Sequence, residues 1–266
     1  MYISELIVLI SILYLLLSLF IVLLERKLLA FAQRRLGPSI VGRNGSLQLL
    51  WDLGKLLNKN IFVIPHLISN EIHIFITVMY SIQLFMCINF ILGSNLIIFL
   101  NLDALILYQF IVTTVSQILI ILISLISQSR YALLSAVRGC VQIISFDIFL
   151  IIIISLILML SQSAHYFGFV ELQSKLPLLV LINIIAVCFL IFLLFEAKRT
   201  PFDHLETEAE VVAGYATEYS GILLLILYLI EYLHLVIAGF IFTIFFYGGW
   251  VYYWPLYFIN LYFYSI

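Results

Sequence analysis

Charge is what this chain has least of: Asp, Glu, Lys and Arg together make up 10% of its 266 residues. With a hydrophobic fraction of 65% and a mean hydropathy of +1.24, that scarcity excludes an ordinary soluble globular domain. Cysteine is almost as rare. Cys87, Cys140 and Cys188 stand alone, without a C-x-x-C pair, so neither an iron–sulfur cluster nor a disulfide framework is indicated. His73 and His234 read as lone, packed or interfacial residues near helix ends, without the pairing that axial haem ligands need. No metal site, catalytic group or redox centre is expected in this chain. The strict apolar–polar alternation of an outer-membrane strand is absent, which favours helices over a barrel. So are a basic leader and a small-residue cleavage site, and the first apolar run is therefore not read as a removable signal.

Long apolar runs are abundant. Stretches at about 5–24, 72–93, 105–127, 142–160, 176–195 and 218–240 each approach the roughly 20 residues that cross a bilayer as helix. They predict an all-α, polytopic membrane bundle of six transmembrane helices, forming one membrane domain over 1–266. A further apolar and aromatic segment, 241–266, is interrupted by GGW at 248–250 and by Pro255. If the six helices alternate across the membrane, eleven of the twelve Lys and Arg residues fall on one side and only Lys175 falls opposite. That asymmetry puts the N-terminus outside and three inward loops, about 25–71, 128–141 and 196–217, on the cytoplasmic or matrix side.

The first loop opens with ERK, read as the helix exit, and continues through QRRLGP. Gly37-Pro38 predicts a rigid turn that holds Gln33, Arg34 and Arg35 in place. From about Ser46 the spacing changes. Gln48, Asp52, Lys55 and Lys59 share one helical face and Leu47, Leu50, Leu53 and Leu57 another, which predicts an amphipathic helix lying in the interface.

The scarce acids are concentrated where they cost most. Asp147 lies nine residues beyond Arg138, about 13 Å further along a helix and at hydrocarbon depth. An ionisable group there costs about 2.5–3.5 kcal/mol unless it has a partner or a watery cavity. Glu196 closes the fifth run, and Glu218 and Glu231 belong to the sixth. These acids form a candidate chain for proton movement across much of the membrane. The segment EAKRTPFDHLETEAEVVAGY places Glu196, Asp203, Glu206, Glu208 and Glu210 within fifteen positions. Thr200, Pro201 and Asp203 fit a helix start, which accounts for Asp203 alone. If helix continues, Asp203, Glu206 and Glu210 share a face and repel one another. Such an arrangement makes sense against the basic first loop, along a water-filled path, or beside a partner.

At these residues the chain resembles a known family. ERKLLAFAQRRLGP, QLLWDLGKLLNK, SRYALLSAVRGCVQIIS, EAKRTPFDHLETEAEVVAGYATEY and the EY at 231–232 occur in the order found in subunit 1 of respiratory complex I, the proton-pumping NADH:ubiquinone oxidoreductase. The resemblance implies a membrane-arm subunit that forms the floor and entrance of the ubiquinone chamber and is inactive alone. It assigns Arg26, Gln33, Arg35, Asp52 and Phe202 to the quinone passage. It assigns Arg138, Asp147, Glu196, Arg199, Asp203, Glu206, Glu208, Glu210, Glu218 and Glu231 to the charged axis that couples quinone reduction to proton translocation. Ubiquinone would be the substrate of the complex, with no cofactor held by this chain. Other complex I subunits and membrane lipids would be its partners, nucleic acid would not, and the place would be the mitochondrial inner membrane with the N-terminus toward the intermembrane space.

The chain departs from the family pattern in three ways. Asp147 stands where Glu is usual, Asn60 follows Lys59 where an acid is common, and no Asp, Glu, Lys or Arg follows Glu231. The last difference leads us to expect a separate polypeptide supplying the two further helices of the family, or other subunits replacing their packing. A hydrogenase anchor subunit, an independent cation transporter and a purely structural anchor are the alternatives. The absence of an internal repeat counts against the transporter.

Overall fold

The computed structural model describes residues 2–60, 69–91, 105–127, 129–163, 165–173, 177–196, 198–199, 202–203 and 214–249. Among them there are helices and turns and no strand. The helices are α1 (Tyr2–Ala32), α2 (Gln48–Leu57), α3 (Ser69–Ile91), α4 (Leu105–Ile126), α5 (Arg130–Ser161), α6 (Tyr166–Leu172), α7 (Leu178–Leu181), α8 (Asn183–Glu196) and α9 (Gly221–Tyr247).

Among the described residues four stretches are long and apolar enough to cross a membrane: Val8–Ala32, Ile106–Ile126, Arg130–Ser161 and Gly221–Tyr247. The expected count of six is therefore not reproduced among the described residues. α3, at Ser69–Ile91, covers most of the second expected run. The fifth expected span is broken at Ile182 (φ −133°, ψ 54°) into the one-turn α7 and the 14-residue α8. At about 1.5 Å per residue α8 alone is about 21 Å long, short of the roughly 30 Å hydrocarbon core. The segment 241–266 enters the described residues as far as 249, and its first part continues α9 rather than forming a separate segment.

Two further boundaries differ from the sequence reading. α1 does not stop at Glu25; it runs through Glu25, Arg26 and Lys27 to Ala32 and closes with Arg34 in the left-handed region (φ 55°) and the Arg35 amide on the Ala30 carbonyl at 2.9 Å. In addition, 130–141 is not a loop but the first turns of α5. The Ser129 side chain starts that helix by accepting the Ala132 amide, so the N-cap and not the hydropathy sets the boundary.

α9 is the hub. It touches α1, α2, α3, α6, α7 and α8, while α5 packs on α4, α6, α8 and the 214–216 turn. Apart from a polar strip at Glu231, Tyr232 and His234, α9 is apolar around its circumference, which suits a helix enclosed by others. Phe245 shows the packing: its ring lies 5.2 Å from Phe169, 5.7 Å from Phe189 and 6.2 Å from Phe110, centroid to centroid. Gln173, fully buried, then donates to the Ile244 and Phe245 carbonyls at 2.9 and 3.0 Å, which satisfies acceptors that the end of α9 would leave open. At the other end, Gly221 sits at φ 58°. A Cβ there would lie 2.9 Å from the Lys59 carbonyl oxygen, so glycine lets the start of α9 pass close to the chain leaving α2.

Candidate functional site

The amphipathic helix forms where the sequence places it, over Gln48–Leu57, with its leucines divided between the bundle and the outside. Leu49 is buried against Leu19 and Leu23 of α1, with Leu53 beside it. Leu47, Leu50 and Leu57 point away from the bundle together with Trp51. Asp52 turns inward because Arg26 on α1 meets it there: Nη1 lies 2.6 Å from Oδ2, and Gln48 Nε2 donates to Oδ1 at 3.3 Å. Asp52 is thereby held toward α1 while Leu47, Leu50, Trp51 and Leu57 stay exposed, an arrangement that suits a helix lying in an interface.

Between α1, α2 and α9 this packing leaves a cavity of about 300 Å³. Leu19, Val22, Leu49, Leu53, Leu225 and Leu229 make its walls, and Arg26, Asp52, Tyr228 and Tyr232 supply its polar groups. Of the five residues assigned to a quinone passage, Arg26 and Asp52 line this space. Gln33 and Arg35 do not. They lie exposed beyond the end of α1 and bond to each other, Arg35 Nε donating to Gln33 Oε1 at 2.7 Å. Phe202 is elsewhere again, stacked on Phe195, and its carbonyl accepts Gln142 Nε2 at 3.0 Å.

A polar path begins at the cavity wall. The Tyr232 hydroxyl donates to Glu25 Oε2 at 3.1 Å, and Glu25 Oε1 pairs with Arg199 Nη1 at 2.9 Å. The Arg199 guanidinium also lies over the Tyr232 ring, 5.0 Å from its centroid. Burial opposes the charge on Arg199, yet Tyr232 and the Glu25 and Glu231 carboxylates together hold its pKa above the ordinary value. One position along α9 from Tyr232, Glu231 accepts a hydrogen bond from Tyr215, over whose ring Lys198 Nζ lies at 5.5 Å.

Two small cavities continue inward from there. The first is lined by Glu231, Lys198, Glu196 and His234 with Gln83, Ser116 and Gln117, and has a volume of about 20 Å³. The second, about 30 Å³, is lined by Glu196 and Lys198 again and by Asp147, Gln117 and Gln142. Each holds about one water by volume, in polar surroundings that give it partners. Glu196 and Lys198 line both.

The structure therefore unites Asp147, Glu196, Arg199 and Glu231, which the sequence named as one group. Glu218 is half-buried in the turn before α9, next to Tyr219, and lines neither small cavity. Its charge adds to burial in raising the pKa of the Tyr219 hydroxyl, which donates to the Ile123 carbonyl at 2.9 Å. Arg138 is half-buried on α5, and Asp203 is half-buried beyond Phe202. Glu206, Glu208 and Glu210 lie outside the described residues, as do Thr200 and Pro201 of the expected helix start.

Sequence reasoning did not assign Glu25, Tyr232 or Tyr215, which begin the path, nor several polar groups further in. Gln83 and Ser116, bonded to each other at 3.2 Å across α3 and α4, join the path, as does Lys198. His234 is the correction: it is not near a helix end but in the middle of α9, buried, with Nε2 3.2 Å from Glu196 Oε1. A polar residue within an apolar helix was the available signal for it.

A family model described as NADH dehydrogenase matches residues 4–266. Relatives agree with it. The chain is 33% identical over 246 residues to NADH-ubiquinone oxidoreductase chain 1 of Paramecium tetraurelia, covering 91% of this chain and 92% of that protein. It is 33% identical over 239 residues to NADH-ubiquinone oxidoreductase chain 1 of Arabidopsis thaliana, covering 87% and 71%. To the protein of the same name from Metridium senile it is 32% identical over 237 residues, covering 87% and 70%. The chain belongs to the NADH dehydrogenase family of complex I subunit 1. Membership extends over nearly the whole length, so the cavity at α2 and the polar path both fall inside the matched region. The Paramecium relative is matched almost completely, while the other two are longer than the match.

Proposed function

We propose that this chain is the membrane-arm subunit of a respiratory complex I that forms the lipid-side floor and entrance of a ubiquinone chamber and passes the effect of quinone reduction to buried acids. The observation that carries this reading is continuity. An apolar-walled cavity large enough for part of an isoprenoid chain has its polar edge, Tyr232, bonded to Glu25, and Glu25 leads through Arg199 toward Glu231, Glu196 and Asp147. Apolar walls with few polar groups suit a quinone, and a string of carboxylates with room for single waters suits proton exchange.

The mechanism is electrostatic. Reduction of the quinone headgroup on a partner subunit places negative charge near the inner end of the chamber, and the charge pairs Arg26–Asp52 and Arg199–Glu25 respond first. Proton occupancy then shifts along Glu231, Glu196 and Asp147, a coupling between two sites through charges held at fixed separations. Electrons stay outside this chain, which works as one subunit among the other complex I subunits, in the mitochondrial inner membrane, with the N-terminus toward the intermembrane space. Glu206, Glu208 and Glu210 join the charged axis in this reading, and Gln33 and Arg35 the rim of the passage.

The test uses the assembled complex in vesicles. D147N removes one carboxylate from the inner end of the path. The expected outcome is normal assembly and normal NADH oxidation by a water-soluble acceptor, with ubiquinone-coupled proton translocation reduced about 10- to 100-fold. Unchanged translocation would remove Asp147 from the path. Peptide identification in the same complex shows whether a separate chain accompanies this one where the longer relatives have additional sequence.

A further inference from the structure

His234 borders the first of the two small cavities, together with Glu196 and Glu231. Its ring is buried, on the face of α9 that meets α3, α4 and the end of α8. The groups around it are Glu196 and Lys198 at the end of α8, Glu231 on its own helix, Gln83 on α3, and Ser116 and Gln117 on α4. Nε2 is 3.2 Å from Glu196 Oε1, close enough for proton exchange, yet neither ring nitrogen has an aligned hydrogen bond and Glu196 Oε2 accepts none. A buried imidazole and carboxylate without settled partners are costly as pure packing. They need a water, and the adjoining cavity of about 20 Å³ has space for one. Glu231 and His234 are three residues apart on α9, so they share a face, and the same cavity touches both.

We propose that His234 is a proton-exchanging residue of this path, bridging Glu196 and Glu231 across the cavity. The proposal rests on the function given above and adds a member to it. In one transfer the Glu196 O–H bond breaks and an Nε2–H bond forms, leaving a carboxylate and an imidazolium. The imidazolium then releases its Nδ1 proton to a cavity water, which passes one of its own to the Glu231 carboxylate. One proton has moved from Glu196 to Glu231, and the imidazole is left in its other tautomer, which returns to the first when Nδ1 takes a proton from water and Nε2 releases one to water. The carboxylates of Glu196 and Glu231 thereby communicate although a histidine ring lies between them, and Lys198, bordering both small cavities, limits how long the positive imidazolium persists.

The experiment compares H234Q, E196Q, E231Q and the double variant H234Q/E196Q in the assembled complex in vesicles. Proton translocation with NADH and ubiquinone is measured across a pH series, in ordinary and heavy water, beside NADH oxidation by a water-soluble acceptor. Glutamine keeps the polarity and much of the reach of histidine but does not titrate. H234Q is expected to assemble, to retain the acceptor reaction, and to lose about 10- to 100-fold in coupled translocation. Its pH profile should lose the limb that the histidine contributes, and the double variant should be no slower than E196Q. Native rate and native pH profile in H234Q, with E196Q impaired, would reduce His234 to packing while leaving the path intact. Native translocation in E196Q and E231Q as well would overturn the path itself, and the histidine role with it. Should H234Q fail to assemble, H234N takes its place, and the proposal requires that it too fail to support the native rate and profile.

Discussion

α5 and α9, 32 and 27 residues long, each carry one carboxylate within an apolar helix, Asp147 and Glu231, yet 22% of the most apolar window of α5 is buried inside the chain against 56% of that of α9. Hydropathy marks both as membrane helices and says nothing of what they meet. The reason lies in the solvent. Lipid tails are as apolar as leucine, so a helix gains no hydrophobic advantage by turning its leucines toward a neighbour, and packing and polar contacts decide instead. α9 is surrounded on most sides. α5 turns Ala132, Ser135, Gly139 and Gln142 inward and leaves Val137, Val141, Ile144 and Ile148 facing out. Over the first turns of α5 small and polar side chains mark the inner face, at spacings of three and four, whereas further along Leu150, Ile153, Ile154 and Ile157 take it and Ser155 faces out.

This contrast is open to direct disruption. The largest stability effect should come from the crowded end of α9. F245A removes a ring packed against three others and is expected to cost about 3–5 kcal/mol, read as a lower midpoint when the complex is titrated with denaturing detergent. G221A follows. It forces a side chain into the left-handed region and against the Lys59 carbonyl, for about 1–3 kcal/mol in the same titration. The start of α5 should be more tolerant: S129A deletes one N-cap bond and should cost about 1 kcal/mol, with faster hydrogen exchange confined to its first turn. I144A, on the outward face of α5, should stay within about 0.5 kcal/mol. A cost above about 2 kcal/mol at Ile144 would show that another subunit covers this face and would erase the contrast between the two helices.

The candidate site was legible in part because acids in hydrocarbon are too costly to be incidental. That argument reached Asp147, Glu196 and Glu231, each a departure from an apolar background. It did not reach His234, since 38 positions separate it from Glu196 and the two share no local pattern. Nor did it reach the packing of α2, whose bundle-facing side chains are Leu49, Leu53, Leu56 and Asp52, because Arg26 reaches the carboxylate from a helix 26 residues earlier. The break at Ile182 had no strong breaker to announce it, Pro177 standing five positions ahead.

By itself the sequence determined that the chain is helical and apolar enough for a membrane, and which side chains are too expensive to be there without use. Hydrocarbon imposes these terms residue by residue, since each backbone amide must be bonded within its own segment and each charge is penalised wherever it falls. Only the tertiary structure decided which acids share a cavity, which face of α2 closes the space beside α1, and that a histidine meets a carboxylate 38 positions away. Those are contacts of a few ångströms between helices far apart in the chain, set by how the helices rotate against one another.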